Sequence, residues 1–337
     1  MSDRRRLAAG LLLFGAIFLA AMAVCPLIGP VGVDVGRAFD FSIPIEENRD
    51  REIFFRLRLP RVLLAALVGG SLAVAGASFQ ALLRNALAEP YTLGVAGGAS
   101  LGAVLAIHSG LAASFLGIPA VPLAAFVGAV LSMALVFFLA RSGRRLPTVT
   151  LLLAGVTVNV FFSAAILIVN YLADLSQIHR MIHWMMGGID TVGLDKVGRT
   201  LPFAAVGVAI LWSQARAFNV LSLGEETARS LGVDVERTKL VAFGAASLVT
   251  GAAISASGPI GFVGLIVPHA VRLVLGPDHR LLIPASVLAG GAFLAVCDTA
   301  ARTLLPSGEL PVGVLTGLLG GPFFVWLLKT RTREISS

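Results

Sequence analysis

The segment that decides the fold is Leu59–Leu83, LPRVLLAALVGGSLAVAGASFQALL, which has no charged residue after Arg61. A helix that crosses the hydrocarbon core of a bilayer needs about 20 predominantly apolar residues, and this run is long enough. The rest of the chain is similar: of 337 residues, 57% are hydrophobic and 13% are charged, whereas soluble domains carry roughly 25% charged residues. We therefore expect an all-α polytopic membrane protein.

Composition also excludes several classes of function. The net charge of +7 does not indicate a nucleic-acid partner, because cytoplasmic loops of membrane proteins collect Lys and Arg. Cys25 and Cys297 lie in apolar runs and are expected to be small buried hydrophobes, not disulfide partners or metal ligands. The sequence contains no phosphate-binding loop, nucleophile elbow or His-Glu-x-x-His motif. We predict no enzyme, no cofactor and no metal site, and an energised transporter of this design would need energy from a partner.

The apolar runs predict about ten spans within a single transmembrane domain, 1–337. Besides Leu59–Leu83 they are Leu7–Gly29, Leu93–His108, Val121–Ala140, Thr148–Leu172, Leu201–Ala215, Leu240–Ala256, Phe262–Leu275, Leu282–Ala300 and Val312–Leu328. We interpret the first run as an uncleaved span, because it is long for a signal peptide and lacks a cleavage site. The polar stretch Val31–Arg56 is predicted to be a periplasmic loop, and the amphipathic segment Ser176–Gly188 a surface helix.

Basic residues orient the predicted spans. They fall in alternate loops and near both termini, namely Arg4–Arg6, Arg84, Arg141, Arg144, Arg145, Arg216, Arg229, Arg237, Lys239, Arg272, Arg280, Lys329, Arg331 and Arg333. Cytoplasmic loops are enriched in such residues. Both termini are therefore predicted to be cytoplasmic.

Two segments suggest an internal repeat. Gly69–Ala77, GGSLAVAGA, is similar to Gly244–Ala252, GAASLVTGA, and the two belong to spans predicted to run in opposite directions. An inverted repeat is a common plan of transporters. Close helix packing through Gly and Ala explains the same pattern without a repeat. The spans hold almost no ionisable residues. A secondary carrier driven by an ion gradient is an alternative function for such a bundle, but carriers of this kind place ionisable residues inside the membrane, so the sequence argues against it.

One basic-side loop, 219–237, has the pattern of a short helix. Ser222-x-x-Glu225 predicts a capping box, and Gly232 predicts the helix stop, which gives a helix over Leu223–Leu231. It is either an ordinary solvated helix or one that docks in a groove of another protein. On the opposite side, His179 and His183 share one helix face and could bind metal or haem. We prefer a wetted surface helix at the mouth of a pathway.

Several stretches together carry a family resemblance. They are Arg58–Arg61 (RLPR), Asn85–Pro90 (NALAEP), Leu151–Val156 (LLLAGV), Trp184–Gly188 (WMMGG), Leu223–Glu225 (LGE), Gly261–His269 (GFVGLIVPH), Asp278–Arg280 (DHR) and Glu309–Gly313 (ELPVG). The chain resembles the permease subunits of type II ABC importers, the FecCD-type family that takes up iron-siderophores, haem and cobalamin. The resemblance implies a type II ABC importer permease fold in the cell inner membrane. It also implies a homodimer, with two cytoplasmic ATP-binding subunits and a periplasmic or lipid-anchored substrate-binding protein as partners.

The resemblance also assigns site residues. Docking of the binding protein falls on Arg58, Arg61 and Arg302, whose guanidinium groups suit carboxylates, although arginines also anchor helix ends at an interface. The ATPase-coupling element matches Leu223, Gly224, Glu225, Glu226 and Arg229. The cytoplasmic gate matches Asn85, Leu87, Thr148 and Val149, beside which Pro147 departs from the small polar residue expected.

The cargo is harder to predict. A path for bulky cargo needs small side chains, and in the Gly-rich third span Gly94, Gly97, Gly98 and Ser100 are the candidates. We favour an iron chelate, either a ferric siderophore or haem, with cobalamin next. The sequence does not decide among them, since the binding protein sets specificity in this family.

Overall fold

The computed structural model describes residues 3–336, apart from positions 112–113, 116, 142, 144–145 and 306–307. Two of the predicted cytoplasmic residues, Arg144 and Arg145, lie outside this description, as do the side chains of Arg4–Arg6, Arg331 and Arg333. The helices are α1 Asp3–Val24, α2 Val35–Ala38, α3 Arg49–Glu52, α4 Leu59–Leu83, α5 Val95–His108, α6 Ala120–Ala140, α7 Thr148–Leu172, α8 Leu175–Met185, α9 Asp195–Ser213, α10 Ala215–Leu221, α11 Glu225–Ser230, α12 Val235–Ser257, α13 Val263–Leu275, α14 His279–Ala301 and α15 Val312–Ser336. A two-stranded antiparallel ribbon pairs Ser114–Phe115 with Ile118–Pro119.

The apolar helices lie where the spans are predicted. In the described residues, six helical segments are long and apolar enough to cross a membrane, and α9 with α10 forms a further one that is bent by 50°. Three shorter apolar helices, α5, α13 and the Val312–Val325 part of α15, complete the set. Short helices of this kind fit a transporter in which some helices begin or end inside the membrane.

The last residues of the predicted loop over 31–56 are helical. Asn48 caps α3 by accepting a hydrogen bond from the backbone N–H of Arg51, and the π-helical segment Ile53–Arg58 joins α3 directly to α4. Phe54 and Phe55 pack against Phe39, with ring centroids 5.3 and 5.4 Å apart. This aromatic cluster supports an early helix start, which the dense surrounding charge concealed in the sequence.

The expected capping box at Ser222 is wrong. The Ser222 hydroxyl donates to the carbonyl of Asn219, and α11 instead begins after Gly224, whose φ is +125°. That backbone conformation favours glycine. The predicted stop is confirmed, because Gly232 has a φ of +82° directly after the helix.

Helix α4 forms the centre of the bundle. In its most apolar stretch 83% of the residues are buried, against 22% in α7. A Cβ added to Gly76 would lie 2.0 Å from the carbonyl oxygen of Gly264, so α4 and α13 touch through their backbones. Such close contact depends on small residues, as is common between membrane helices.

The two segments of the expected repeat occupy equivalent places. Gly69–Ala77 lies in α4 and Gly244–Ala252 in α12. Each of these long helices is followed by a short one, α5 or α13, and both short helices begin after a residue in the left-handed conformation. An inverted repeat therefore describes the architecture, and close packing by small residues operates within it.

The bundle has two polar ends. We call the Lys239 end the one formed by residues 141, 143, 146–147, 219–239 and 276–279, and the Arg61 end the one formed by residues 25–61, 298–305 and 308–311. Near the Lys239 end, Gly10 of α1 packs against Leu275. At the Arg61 end, directly after α1, the carbonyl of Cys25 accepts a hydrogen bond from Arg302. Helix α15 starts at the Arg61 end. As a result α1 begins and α15 ends on the side of the Lys239 end.

Candidate functional site

Glu225, in the predicted coupling helix α11, points into the bundle at the Lys239 end. Its Oε1 atom accepts hydrogen bonds from Lys239 Nζ at 2.7 Å and from Thr148 Oγ1 at 3.3 Å. Glu226 is exposed, and so is Leu223, whose exposed fraction is 65%. The neighbouring acids of this helix therefore have different surroundings, one internal and one facing outward.

Lys239 is the centre of this cluster. Only 3% of the residue is exposed, and its Nζ donates to Glu225 and, at 2.8 Å, to the carbonyl of Leu146. A buried ammonium group is costly unless it is paired and hydrogen-bonded, and both conditions are met here. The cation therefore holds together α12, α11 and the segment that precedes α7.

Glu236 strengthens the same cluster from one turn earlier in α12. Its Oε2 accepts a hydrogen bond from the backbone N–H of Leu146 at 2.9 Å, and its Oε1 accepts one from Arg229 at 3.1 Å. Arg229 also reaches Glu225 at 3.4 Å. Both backbone polar groups of Leu146 are thus held by side chains of α12.

The predicted gate residues are brought to this end. Thr148 opens α7, and Leu82 and Leu83 at the end of α4 line the same small cavity as Thr148 and Lys239. In the loop after α4, Asn85 Oδ1 accepts from the backbone N–H of Leu87 at 3.0 Å and closes a tight turn. Val149 is 69% exposed. The structure thus places the end of α4 beside the start of α7.

A second connection runs from α10 to α14. Asn219 Nδ2 donates to Asp278 at 2.6 Å, and Asn219 Oδ1 accepts from the backbone N–H of His279 at 2.8 Å. Burial alone would raise the pKa of Asp278, but the hydrogen bonds from Arg280 N–H and Asn219 outweigh it and hold that pKa below its usual range. The segment before α11 is therefore fixed to the start of α14.

At the Arg61 end, two of the three expected docking arginines are turned inward. Arg58 is 5% exposed and donates to the carbonyls of Pro26, Leu27 and Val31. Arg302 is 3% exposed and donates to the carbonyl of Cys25 and to Thr299. In this conformation neither side chain is presented to a partner, because their donors are used to hold the chain that follows α1. The sequence did not indicate these carbonyl partners.

Arg61 is different, because one of its contacts reaches the surface. It forms a bidentate pair with Asp298, with N–O distances of 2.9 and 3.0 Å, and Asp298 is 1% exposed. Its NH1 group also pairs with Glu309 at 2.7 Å, and the Glu309 side chain is 47% exposed. A guanidinium group binds two carboxylates in this way through its fork of donors.

The residues expected to line the path pack α5 closely against its neighbours. A Cβ on Gly98 would lie 2.3 Å from Ser132 in α6, and a Cβ on Gly97 would lie 2.6 Å from Asn159 in α7. Gly94 begins α5 with a φ of +85°, and its carbonyl accepts from Ser132 at 2.6 Å. Ser100 is buried. Small residues bring α5 close to its neighbours here, and a role of these residues in the path stays a prediction.

Helix α8 lies over a cavity of about 570 Å³ at the Arg61 end, and His179 and His183 line it together with Arg180 and Lys196. Both histidines are exposed, as expected for a wetted helix at the mouth of a pathway. Across the part of the chain that the structure describes, no group of three or more His, Cys, Asp or Glu residues could hold a metal ion.

The sequence missed Lys239, Glu236 and Glu309 as members of polar clusters, since their partners become visible only in three dimensions.

Comparison with known proteins agrees with this architecture. The model of the FecCD transport family matches residues 13–330. The cobalamin import system permease protein BtuC of Halobacterium salinarum is 48% identical, and the match covers 82% of this chain and 73% of the relative. The hemin transport system permease protein HmuU of Yersinia pestis is 40% identical over 84% of each chain.

A solved structure is also similar. It is a metal-chelate type ABC transporter in an inward-facing conformation, with 30% identity and a TM-score of 0.80 over 96% of this chain and 99% of that one. The matched family covers nearly the whole bundle, including both polar ends. The chain therefore belongs to the FecCD transport family and is an integral membrane permease of an ABC importer.

Proposed function

We propose that this permease works as a homodimer in the cell inner membrane, with two ATP-binding subunits on the cytoplasmic side and a binding protein on the other. The Lys239 end then faces the cytoplasm, and so do both termini. The distribution of basic residues supports this orientation, since Arg84, Arg141, Arg237 and Arg280 all lie on that side. The observation that carries the proposal is the family match over residues 13–330, together with a coupling helix tied to the expected gate.

The ATP-binding subunit docks on the outward face of α11. Leu223 and Glu226 are exposed there, whereas Glu225 is directed inward to Lys239. An apolar anchor beside a charged residue suits a short helix that inserts into a groove of a partner. Leu223, Gly224 and Glu226 therefore form the docking surface, and Glu225 and Arg229 join that surface to the bundle.

The binding protein docks at Arg61. An acidic residue of the partner can replace Glu309 on this guanidinium group, because Glu309 is half-exposed and its loss costs little in water. Arg58 and Arg302 shape the surface from beneath by holding backbone carbonyls. Docking through Arg61 is thus an exchange of one carboxylate for another, in which Asp298 keeps the arginine in place.

The cargo is a metal held by a large organic chelator. One relative described above is named as a cobalamin importer and the other as a hemin transporter. The similar structure is of a metal-chelate type transporter. We place cobalamin first for testing because the 48% identical relative is named for it. Haem and ferric siderophores come next.

The test is uptake by the complete complex in proteoliposomes, with cobalamin, haem and a ferric siderophore as separate cargoes. We expect ATP-dependent uptake of one of them and stimulation of ATP hydrolysis by the loaded binding protein. The double variant Arg61→Met with Asp298→Leu removes the docking cation without leaving a buried charge unpaired, and it should abolish this stimulation while the permease still folds. Uptake that follows an ion gradient and needs no ATP would instead establish the secondary-carrier alternative.

A further inference from the structure

We infer that Lys239 is a positioning residue that transmits movement of the coupling helix α11 to the gate at the start of α7. The inference rests on the proposed function and adds to it the route by which the ATP-binding subunit acts on the gate. Three elements that are separate in the sequence meet at Lys239 Nζ, namely α12, α11 through Glu225, and the α6–α7 connection through Leu146.

The first step of the argument is that the cation and Glu225 must stay together. Lys239 is almost fully buried, and the Glu225 side chain is 27% exposed. Breaking a buried pair leaves an uncompensated charge in a poorly hydrated place, which is strongly unfavourable. When α11 moves, the ammonium group of Lys239 therefore follows the carboxylate or resists its movement.

The second step concerns Leu146, which lies two residues before α7. Its carbonyl accepts from Lys239 and its N–H donates to Glu236, so the connection cannot shift without one of these two side chains. Thr148, in the first turn of α7, adds a direct hydrogen bond to Glu225. Movement of α11 thus reaches the first turn of α7 through two short polar contacts.

The third step is that α7 has few contacts with the rest of its own chain. In its most apolar stretch only 22% of the residues are buried, compared with 67% in α12 and 83% in α4. Within its own chain, α7 therefore has fewer contacts that resist displacement than α12 or α4. The cluster therefore joins the docked helix to a movable element on one side and to the fixed core on the other.

The deciding experiment uses the complete complex in proteoliposomes and measures cargo transported per ATP hydrolysed. Lys239→Met keeps the length of the side chain and removes the charge. We expect at least a tenfold fall in this ratio, with normal co-purification of the ATP-binding subunit and continued ATP hydrolysis. Lys239→Arg keeps the cation and should restore most of the ratio. Arg237→Met removes an exposed cation from the same turn of α12 and is the matched control.

A purely structural role predicts a different result. It would lower the thermal stability of Lys239→Met and reduce transport and ATP hydrolysis together, which leaves their ratio unchanged and overturns the inference. If Lys239→Met does not fold, Thr148→Val removes only the hydroxyl that contacts Glu225. A loss of at least twofold in the ratio is expected for this variant, and an unchanged ratio would again overturn the inference.

A distance measurement adds a readout that does not depend on the thermal stability of the variant. A spin label at the exposed position Thr150 reports the separation of the two α7 starts in the dimer. We expect an ATP-dependent change of this distance in the wild-type complex and in Arg237→Met, and its loss in Lys239→Met. If wild-type complex shows no ATP-dependent uptake, the proposed function fails, a result distinct from an intact Lys239→Met ratio in a working transporter.

Discussion

Arg61 pairs with one buried and one half-exposed carboxylate, and this allows a test of how burial changes the contribution of an ion pair to the free energy of unfolding. Asp298→Asn removes the charge of a residue that is 1% exposed and bidentate to Arg61. Removing one partner of a buried pair costs about 3–5 kcal/mol. Since Glu309 remains on Arg61 and Asn keeps the shape, we expect the lower end, about 3 kcal/mol. Glu309→Gln removes a carboxylate that is 47% exposed, and exposed pairs contribute about 0.2–1 kcal/mol.

The measurement is unfolding in mixed micelles, titrated with denaturing detergent and followed by tryptophan fluorescence of the three tryptophans. Asp298→Asn should lower the folded-to-unfolded ratio by about two orders of magnitude, and Glu309→Gln by less than one order. The double variant Arg61→Met with Asp298→Leu should recover much of the loss, because replacing a buried pair by apolar residues is often neutral. Equal losses for the two single variants would refute the reasoning from burial.

Three further predictions each concern the substitution of a single residue. Gly76→Ala should destabilise the protein by about 1–3 kcal/mol, since its Cβ would lie 2.0 Å from a backbone oxygen in α13; Gly244→Ala, with nothing within 4 Å of its Cβ, should be neutral or stabilising in the same unfolding assay. Asp278→Ala should cost about 1 kcal/mol as a lost helix cap. Because the folded pKa of Asp278 lies below its unfolded value, this deficit is present at neutral pH and should shrink below about pH 4, as unfolding curves against pH would reveal. Glu226→Lys should weaken co-purification of the ATP-binding subunit without loss of thermal stability, whereas full retention of that subunit would argue against docking on α11.

Much of the fold was readable because long apolar runs have few alternatives in a membrane. The predicted span Thr148–Leu172 matches α7 at both ends, since Pro147 and a polar segment bound it clearly. The predicted second span Leu59–Leu83 coincides with α4, but the sequence did not predict the charged helical segment before it, which is supported by charge pairing among 46–56. Charge at the end of a helix does not show by itself whether the helix has already started.

The sites were harder to predict than the spans. The chain contains the resemblance at Leu223–Glu225, but the sequence gives no sign that Glu225 turns inward while Glu226 stays outside. Arg61 and Asp298 are 237 residues apart, so no local pattern joins them. Lys239 was one basic residue among many until its burial showed that it has an internal partner. Contacts between distant elements decide these roles, and a single sequence does not encode them in local spacing.

Helix α4 connects the two ends in a way that limits where movement can occur. Its first turn contributes Arg61 to the Arg61 end. Its last residue, Leu83, lies beside Thr148 and Lys239 at the Lys239 end. Between these points its backbone touches α14 at Gly69 and α13 at Gly76, where there is no room for a side chain. A helix packed by backbone contacts moves only with its neighbours, because tightly packed interiors do not deform gradually. If the binding protein docks at Arg61 as proposed, we expect it to act on α4, α13 and α14 as one body, and we expect opening of the gate to fall to α7, whose Thr148 donates a hydrogen bond to Glu225.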